Sequence, residues 1–575
     1  MSEATRPPVA GANRRGLRGA GAVNGAMAVA VLLVIALVAV RVNQTPPPTV
    51  AELQPNAHQQ ITQAPQNQAA ETGPGSEAGA AAAGLPSPSP SPLANLLTSP
   101  SPSIQPGRVL QCIGGRQTDD PQSPPCVPYW DPKSDNGGAT SVGVTRDFVY
   151  VAWPDFSGFF ENSQATKALL GYFNSHFELY GRKVLLEDCM PTNELSAPDT
   201  ATMQKDAARD ASGTCDPNSP PKPTFAALSY IGRSGEEHYY YDALAQRHVI
   251  SVNVDPTATD EVHYQRFAPY EWSVVPGLDY DEKALAQMTC NSLKGRPPQY
   301  AGQTVSAQPS RVFGIGITSE PDGSVPDLSP LTDALSACGA PVGINENASV
   351  PNQFVGDAMK KGVTSIECVC SVTDVSGLMN AASRQGYFPE WIVHEYGFQN
   401  VDNVGTTNGG SNAPVYPAEH QNHVFGLTFF NKINPPDQAF WFDAAREGDP
   451  TYTYGDNGAD ATVWHRYEEM LVLFSGLQLA GPHLTPQSFQ DGLYRARFPD
   501  PGHGAAPYYQ ALVGFGPGMH SFDNDAAPIW YNPQAQNYTS GEPRDGSFCY
   551  IGHGLRFGPG QWPSTLNFFG GQPCR

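Results

Sequence analysis

The chain has 575 residues, 40% of them hydrophobic, with 33 Lys plus Arg against 55 Asp plus Glu and a formal net charge of −22. That acidic balance repels phosphate backbones and anionic lipid heads, which excludes nucleic acid as a partner, and it also keeps an exported globular protein in solution. The chain beyond its first hundred residues is too long for one small core and suits two lobes.

Arg6, Arg14, Arg15 and Arg18 precede an apolar run in which, from 19 to 40, Asn24 is the one strongly polar residue. At about 1.5 Å per residue such a run crosses roughly 30 Å of hydrocarbon, and the preceding charges place the N-terminus in the cytoplasm. Residues 1–18 therefore read as a cytoplasmic basic tail and 19–42 as a single transmembrane anchor, which puts the protein in the cell membrane with an extracytoplasmic body. A cleaved signal peptide is the rival reading, although Leu37-Val38-Ala39-Val40-Arg41 is a poor cleavage site. No Cys follows in a position to be lipidated. Residues 43–108, rich in Pro, Ser and Ala, read as a disordered linker. The ten cysteines all lie beyond the apolar run, where an oxidising compartment favours disulfides. Cys112 with Cys126, Cys189 with Cys215, and Cys549 with Cys574 are near enough in sequence to be local pairs.

The body opens on a strand at 147–153, then the turn Pro154-Asp155-Phe156-Ser157-Gly158, then a helix in which Ala165, Leu169, Leu170, Phe173 and Phe177 recur at helical spacing. A strand at 184–187, a helix at 200–211, a strand at 225–230, a helix at 236–246 and a strand at 249–254 continue the alternation. This rhythm predicts βαβ units and a parallel sheet. After Asp279 a second series follows: helix 281–293, strand 312–317, helix 331–338, strand 342–345, helix 353–361, strand 365–370, helix 376–385 and strand 391–395. Two such series predict two similar lobes. Beyond Asn400 the pattern is irregular until an amphipathic helix at 460–479, with Val463, Tyr467, Leu471, Phe474 and Gln478 on one side and Glu468-Glu469 on a solvated side.

In open parallel sheets ligands sit beyond the carboxyl ends of the strands. The loops so placed are Ser157-Gly158, 229–235, 253–257, 319–323, 371–374 and His394-Glu395; Ser, Asn and Asp in such loops also cap helices, and both readings stand. The chain has no Gly-x-Ser-x-Gly elbow, Walker-type loop or His-Glu-x-x-His helix, so it reads as a binder and not an enzyme, with no cofactor and no metal. His420 and His423, beside Glu419, could face a metal, but the strand-like run that follows would turn them to opposite faces. Tyr239-Tyr240-Tyr241 read as packing against the sheet.

The stretch 126–153, in which Asp135-Asn136-Gly137-Gly138-Ala139-Thr140 leads to Gly143-Val144-Thr145-Arg146-Asp147, resembles the entry to the mature domain of solute-binding proteins of branched-chain amino acid type ABC importers, as found in actinobacteria. Phe156-Ser157-Gly158 resembles that family's first ligand loop, Tyr172-Phe173-Asn174 with Gly181-Arg182-Lys183 its first helix and turn, and Lys361-Gly362-Val363-Thr364 through His394-Glu395 its second lobe. The resemblance covers 126–400 and continues more loosely through Ile529-Trp530-Tyr531.

What the resemblance implies is an α/β fold of the type 1 periplasmic binding protein kind: two Rossmann-like lobes with parallel sheets, joined by a three-crossover hinge. The crossovers would lie near 268–279, 400–420 and 514–525. Lobe 1 would comprise 109–275 and 415–515, and lobe 2 would comprise 276–414 and 516–575. Ser157, beside Gly158, and Ser229 would hydrogen-bond a ligand carboxylate, and Asn253 would line the first lobe. Asp322, Ser371 and Glu395 would reach the ligand from the second lobe, Glu395 as the anion for an ammonium group. The sequence departs from an amino acid binder at Leu228-Ser229-Tyr230-Ile231-Gly232-Arg233, where a Ser/Thr-rich loop is usual, and lacks the aromatic after Cys370. The expected function is extracytoplasmic capture of a small polar ligand (amino acid, amide or short peptide) for ABC-type import, with an importer permease as partner. The alternatives are a membrane-anchored sensor or cell-surface interaction module of the same fold, and an anchored envelope hydrolase.

Overall fold

Short β-branched and aromatic runs separated by capped helices build the body. The computed structural model describes residues 112–575 apart from 157–160, 193–198, 231–236, 255–258, 320–322, 406–414, 455–462, 500–509, 539–543, 571–573 and 575. The expected anchor at 19–42 and linker at 43–108 lie outside the described residues, within which no helix is long and apolar enough to cross a membrane.

The first series gives β1 (Phe148–Trp153), α1 (Ser163–His176), β2 (Lys183–Asp188), α2 (Thr200–Ser212), β3 (Ala226–Ala227), α3 (His238–Ala245), β4 (Ile250–Asn253), α4 (Glu261–Phe267) and β5 (Glu271–Ser273). These five strands form one parallel sheet in the order β2-β1-β3-β4-β5. Helix starts are set locally: the Asn162 side chain accepts from the Gln164 and Ala165 N–H groups ahead of α1, and Asp199 does the same for Thr202 ahead of α2. Tyr240 and Tyr241 pack inward as expected, with the Tyr240 hydroxyl donating to Asp210 at 2.8 Å.

The second series gives α5 (Leu278–Met288), β6 (Phe313–Ile317), α6 (Ser329–Cys338), β7 (Val342–Asn347), α7 (Pro351–Lys360), β8 (Ser365–Val369), α8 (Val372–Gln385), β9 (Glu390–Val393) and β10 (Val424–Thr428). With the antiparallel pair β11 (Ala527–Asn537) and β12 (Arg544–Tyr550) they form a sheet ordered β12-β11-β10-β9-β8-β6-β7. The parallel part of this sheet, β7-β6-β8-β9-β10, repeats the order of the first. Gly426 is required in β10 because a Cβ there would lie 1.8 Å from the Val393 carbonyl oxygen.

Between β10 and β11 the chain returns to the first lobe as α9 (Phe440–Gly448), α10 (Val463–Ala480) and α11 (Pro486–Arg495). The second crossover therefore follows Thr428, which corrects the expectation of 400–420 and of a lobe boundary at 415: β10 is hydrogen-bonded between β9 and β11 and belongs to the second sheet. The first and third crossovers run side by side, with Ser273 N–H donating to the His520 carbonyl at 3.0 Å and Asp523 N–H to the Val274 carbonyl at 2.8 Å.

Helix α10 is also corrected. Every residue from Val463 to Gln478 is buried, Glu468 and Glu469 included, so the helix has no solvated side. One face packs on α1, where Phe173 and Phe474 stack at 5.2 Å, and another on α11, where Gly476 leaves room for Phe489. The N-terminal segment covers it too: Gln478 donates to the Pro125 carbonyl and the Tyr467 hydroxyl donates to Asp120 at 2.7 Å. Five disulfides join Cys112 to Cys126, Cys189 to Cys215, Cys290 to Cys338, Cys368 to Cys370 and Cys549 to Cys574. The three local pairs expected from spacing are among them.

Candidate functional site

The carboxyl ends of both parallel sheets converge on α10 and the crossovers, and the expected ligand residues divide there by what they touch. Ser157, Gly158 and Asp322 lie outside the described residues. Ser229 is buried at the end of β3, and its hydroxyl donates to the Val252 carbonyl and accepts from Val254 N–H, while its own N–H donates to Glu469. Asn253, beside it, accepts from the Ser273 hydroxyl at 2.8 Å. Ser371 is the N-cap of α8 in a capping box with Asp374. The polar groups of these three are taken up inside the fold, and capping is what Ser371 does.

Glu395 differs. It follows β9, fully buried, and its Oε2 accepts from Phe429 N–H at 2.6 Å, Asn400 Nδ2 at 2.8 Å and the Thr428 hydroxyl at 3.1 Å. Its other oxygen, Oε1, has no partner. Burial, reinforced by the charge of Asp281, raises its pKa to about 7, against the hydrogen bonds that favour the anion. Beside it His394 joins Asp281 at 2.5 Å and the Cys368 carbonyl at 3.0 Å. Burial pulls His394 down, but Asp281 outweighs it and lifts the imidazole to about 9.

Two further buried acids act on Glu395 electrostatically. Glu468, on α10, accepts from Asn431 Nδ2 at 2.8 Å and leaves Oε2 unpartnered; burial takes its pKa to about 8. Asp523, in the third crossover, has an unpartnered Oδ2 and is pushed far above the carboxylate range by burial and by Glu468. The facing cation is Arg556, whose guanidinium donates to the Phe429, Phe430 and Asp525 carbonyls and to Asp525 Oδ1. Arg556 thereby ties the second crossover to the third. The arrangement leaves three buried carboxylate oxygens without hydrogen-bond partners near the crossovers, groups whose ionised form a nearby positive charge stabilises.

A second charge group closes the first lobe's strand ends. Arg466 on α10 pairs with Glu161 and Glu469 and donates to the Ser229 and Pro154 carbonyls. Burial would lift Glu161, but Arg466 holds it below its usual value.

Sequence reasoning singled out Glu395 as an expected ligand residue and passed over the charged groups buried near it or in the first lobe, Glu468, Asp523, Arg466 and Arg556. One signal was present: Glu468 and Glu469 sit in a helix whose other positions are apolar nearly all round, and such helices are buried. His420 and His423, the pair weighed for a metal, are held by protein: the His420 ring nitrogens meet Trp391 Nε1 and the Ser383 hydroxyl, each at 3.0 Å, and His423 Nδ1 meets the Tyr300 carbonyl.

No family model and no curated protein matches the chain. Solved structures resemble it. A solute-binding protein of an ABC transporter from R. palustris, in complex with 4-hydroxybenzoate, is 12% identical with a TM-score of 0.46, covering 72% of this chain and 99% of that one. A fatty acid ABC transporter substrate-binding protein from Thermomonospora curvata is 13% identical with a TM-score of 0.44, covering 74% and 98%. A branched chain amino acid ABC transporter protein from Thermus thermophilus, with bound valine, is 10% identical with a TM-score of 0.46, covering 72% and 97%. The strand orders of the two sheets and the three passes between them agree with the architecture expected from the sequence. Two like-ordered parallel sheets joined by three crossovers are the architecture that the sequence resemblance implied. Within it the acids around Glu395 lie where the lobes meet, and the ligands of the similar structures remain properties of those proteins.

Proposed function

We propose that the protein is an extracytoplasmic solute-binding protein, held at the membrane by residues 19–42, that captures a small polar ligand with an ammonium group between its lobes for ABC-type import. Amino acids, amides and short peptides are the ligand classes. The observation that carries this reading is the fully buried Glu395 with Oε1 unpartnered and Glu468 and Asp523 within electrostatic reach. A carboxyl desolvated by burial is stabilised as the anion by a cation brought to it, so ammonium binding and ionisation of Glu395 support each other. Lobe closure then removes the pair from water, and the binding energy goes into closing rather than into a transition state. Binding, not catalysis, is the role this geometry suits.

The test is a thermal-shift screen of the full chain in detergent against amino acids, amides, short peptides, polyamines and sugars. A ligand that binds only the folded state raises the melting temperature by mass action. A saturable rise with one ammonium-bearing class, weakened at least tenfold in Glu395→Gln, supports the reading. A screen in which only uncharged sugars shift the protein, or in which Glu395→Gln responds like the wild type, rejects it.

A further inference from the structure

A pocket lies between the second crossover and α10, apart from the ends of β3, β4 and β9 where the expected ligand residues sit. Its internal volume is about 40 Å³. At roughly 10–15 Å³ per water it holds about three waters, enough for a head group and too little for a whole nutrient. Phe440 and Trp441 of α9 and Trp464 and Tyr467 of α10 wall it, and Glu468 stands one turn along α10 from Trp464.

Two atoms at this pocket are unsatisfied. Trp464 Nε1 and Glu468 Oε2 have no hydrogen-bond partner, although their residues are only 5% and 7% exposed. The pocket's other acid, Asp120, is satisfied by the Tyr467 hydroxyl at 2.7 Å, Gln510 Nε2 at 2.8 Å and Gln122 N–H at 2.8 Å. Lys432, also on the lining, interacts with Asp402. A buried acceptor without a donor, beside indole rings whose faces attract cations, fits one kind of group.

We propose that this pocket is a second small-molecule site, which seats the ammonium head of an organic amine or quaternary ammonium compound against Glu468 and between Trp441 and Trp464. The occupant's remaining part leaves past Gln438, a lining residue that is exposed. Asn431 donates to Glu468 Oε1 and to Gln122 Oε1, each at 2.8 Å, so the seated head is one hydrogen bond from the segment that joins the lobes. Occupancy therefore holds the second crossover in place. The site shares Glu468 with the interlobe reading, so Ala439→Leu, which leaves Glu468 in place, is the variant that separates the two.

The experiment titrates the full chain in detergent with tetramethylammonium chloride and, separately, ethylammonium chloride, at ionic strength held constant with sodium chloride, following tryptophan fluorescence. A saturable change with either probe is expected, at least tenfold weaker in Glu468→Gln. It should be abolished in Ala439→Leu, which fills the pocket without altering its charge. A response that only tracks salt, or equal affinities in wild type and both variants, overturns the proposal. Circular dichroism establishes that each variant is folded, and where Glu468→Gln does not fold, Ala439→Leu decides.

Discussion

Arg466 and Glu161, 305 positions apart, meet in a buried bidentate pair, Nε to Oε1 at 2.8 Å and Nη2 to Oε2 at 3.0 Å. Glu161 also accepts from Trp153 Nε1 and from Phe156 N–H, so the guanidinium fixes the end of β1, the turn after it and α10 in one unit. Because Arg466 also meets Glu469, the same guanidinium lets that glutamate lie inside the first lobe.

Arg466→Met leaves Glu161 and Glu469 buried without a cation. Removing one partner of such a pair costs about 3–5 kcal/mol, because the remaining charge is uncompensated. Urea denaturation of the variant is expected to show a loss in that range at unchanged m-value. A loss below about 1 kcal/mol would mean that water reaches the site.

Stability is expected to fall as pH rises from 6.5 to 9. His394 binds its proton more tightly when folded, up to about 9 against an ordinary value of 6.5, so its contribution is complete below 6.5 and lost through 9. Glu395 and Glu367 near 7 and Glu282 and Glu468 near 8, all raised from 4.5 chiefly by burial, lose stability as pH rises from 4.5 to those values and they are forced to ionise. Between pH 4.5 and 6.5 the descent that these acids begin is offset in part, because His465 and His420, held down to about 3 and about 4 by burial, resist protonation in the fold. Melting temperature against pH, with a steeper descent above 6.5 than below, checks this; His394→Gln should reduce the slope between 6.5 and 9.

The Cys290–Cys338 disulfide closes a loop of 48 residues between the turn after α5 and the end of α6. Replacing both cysteines by serine is expected to cost about 2–4 kcal/mol, the ordinary range for such a link. Non-reducing peptide mapping of the native protein should recover all five pairs, and a shuffled map would contradict the topology.

Gly426→Ala drives a methyl group into the Val393 carbonyl across the β9–β10 pair. Overpacking of this kind typically costs about 1–3 kcal/mol, and here the obstacle is backbone that cannot rotate away. A neutral variant in thermal melts would mean that β10 can shift in register.

The alternation of the first 250 residues of the body was legible because strands such as Phe148–Trp153 and Phe313–Ile317 are near-continuous apolar runs and several helices carry a side-chain cap, as at Asn162, Asp199 and Ser371. Short elements escaped: α4, β5 and α9 are too brief for a periodic signal, and β11 and β12 pair antiparallel in a region with none. The position of Glu395 beyond the end of a strand was legible. Glu468 and Asp523 were not, since their company is assembled from α10 and the third crossover, far apart in sequence. The second crossover was misplaced for a related reason: β10 follows a long irregular stretch, and only its hydrogen bonds to β9 and β11 reveal which sheet it joins.

The N-terminal segment lies against the structural pivot. Gln122 bonds Asn431 of the second crossover and the Ala511 carbonyl leading to the third, while Asp120 holds Tyr467 and Gln510. Cys112 is clipped to the base of this segment by Cys126. A pull on the chain at Cys112 is therefore borne beside the second and third crossovers, where the covalent connections between the two sheets run, and not at the outer edge of either sheet.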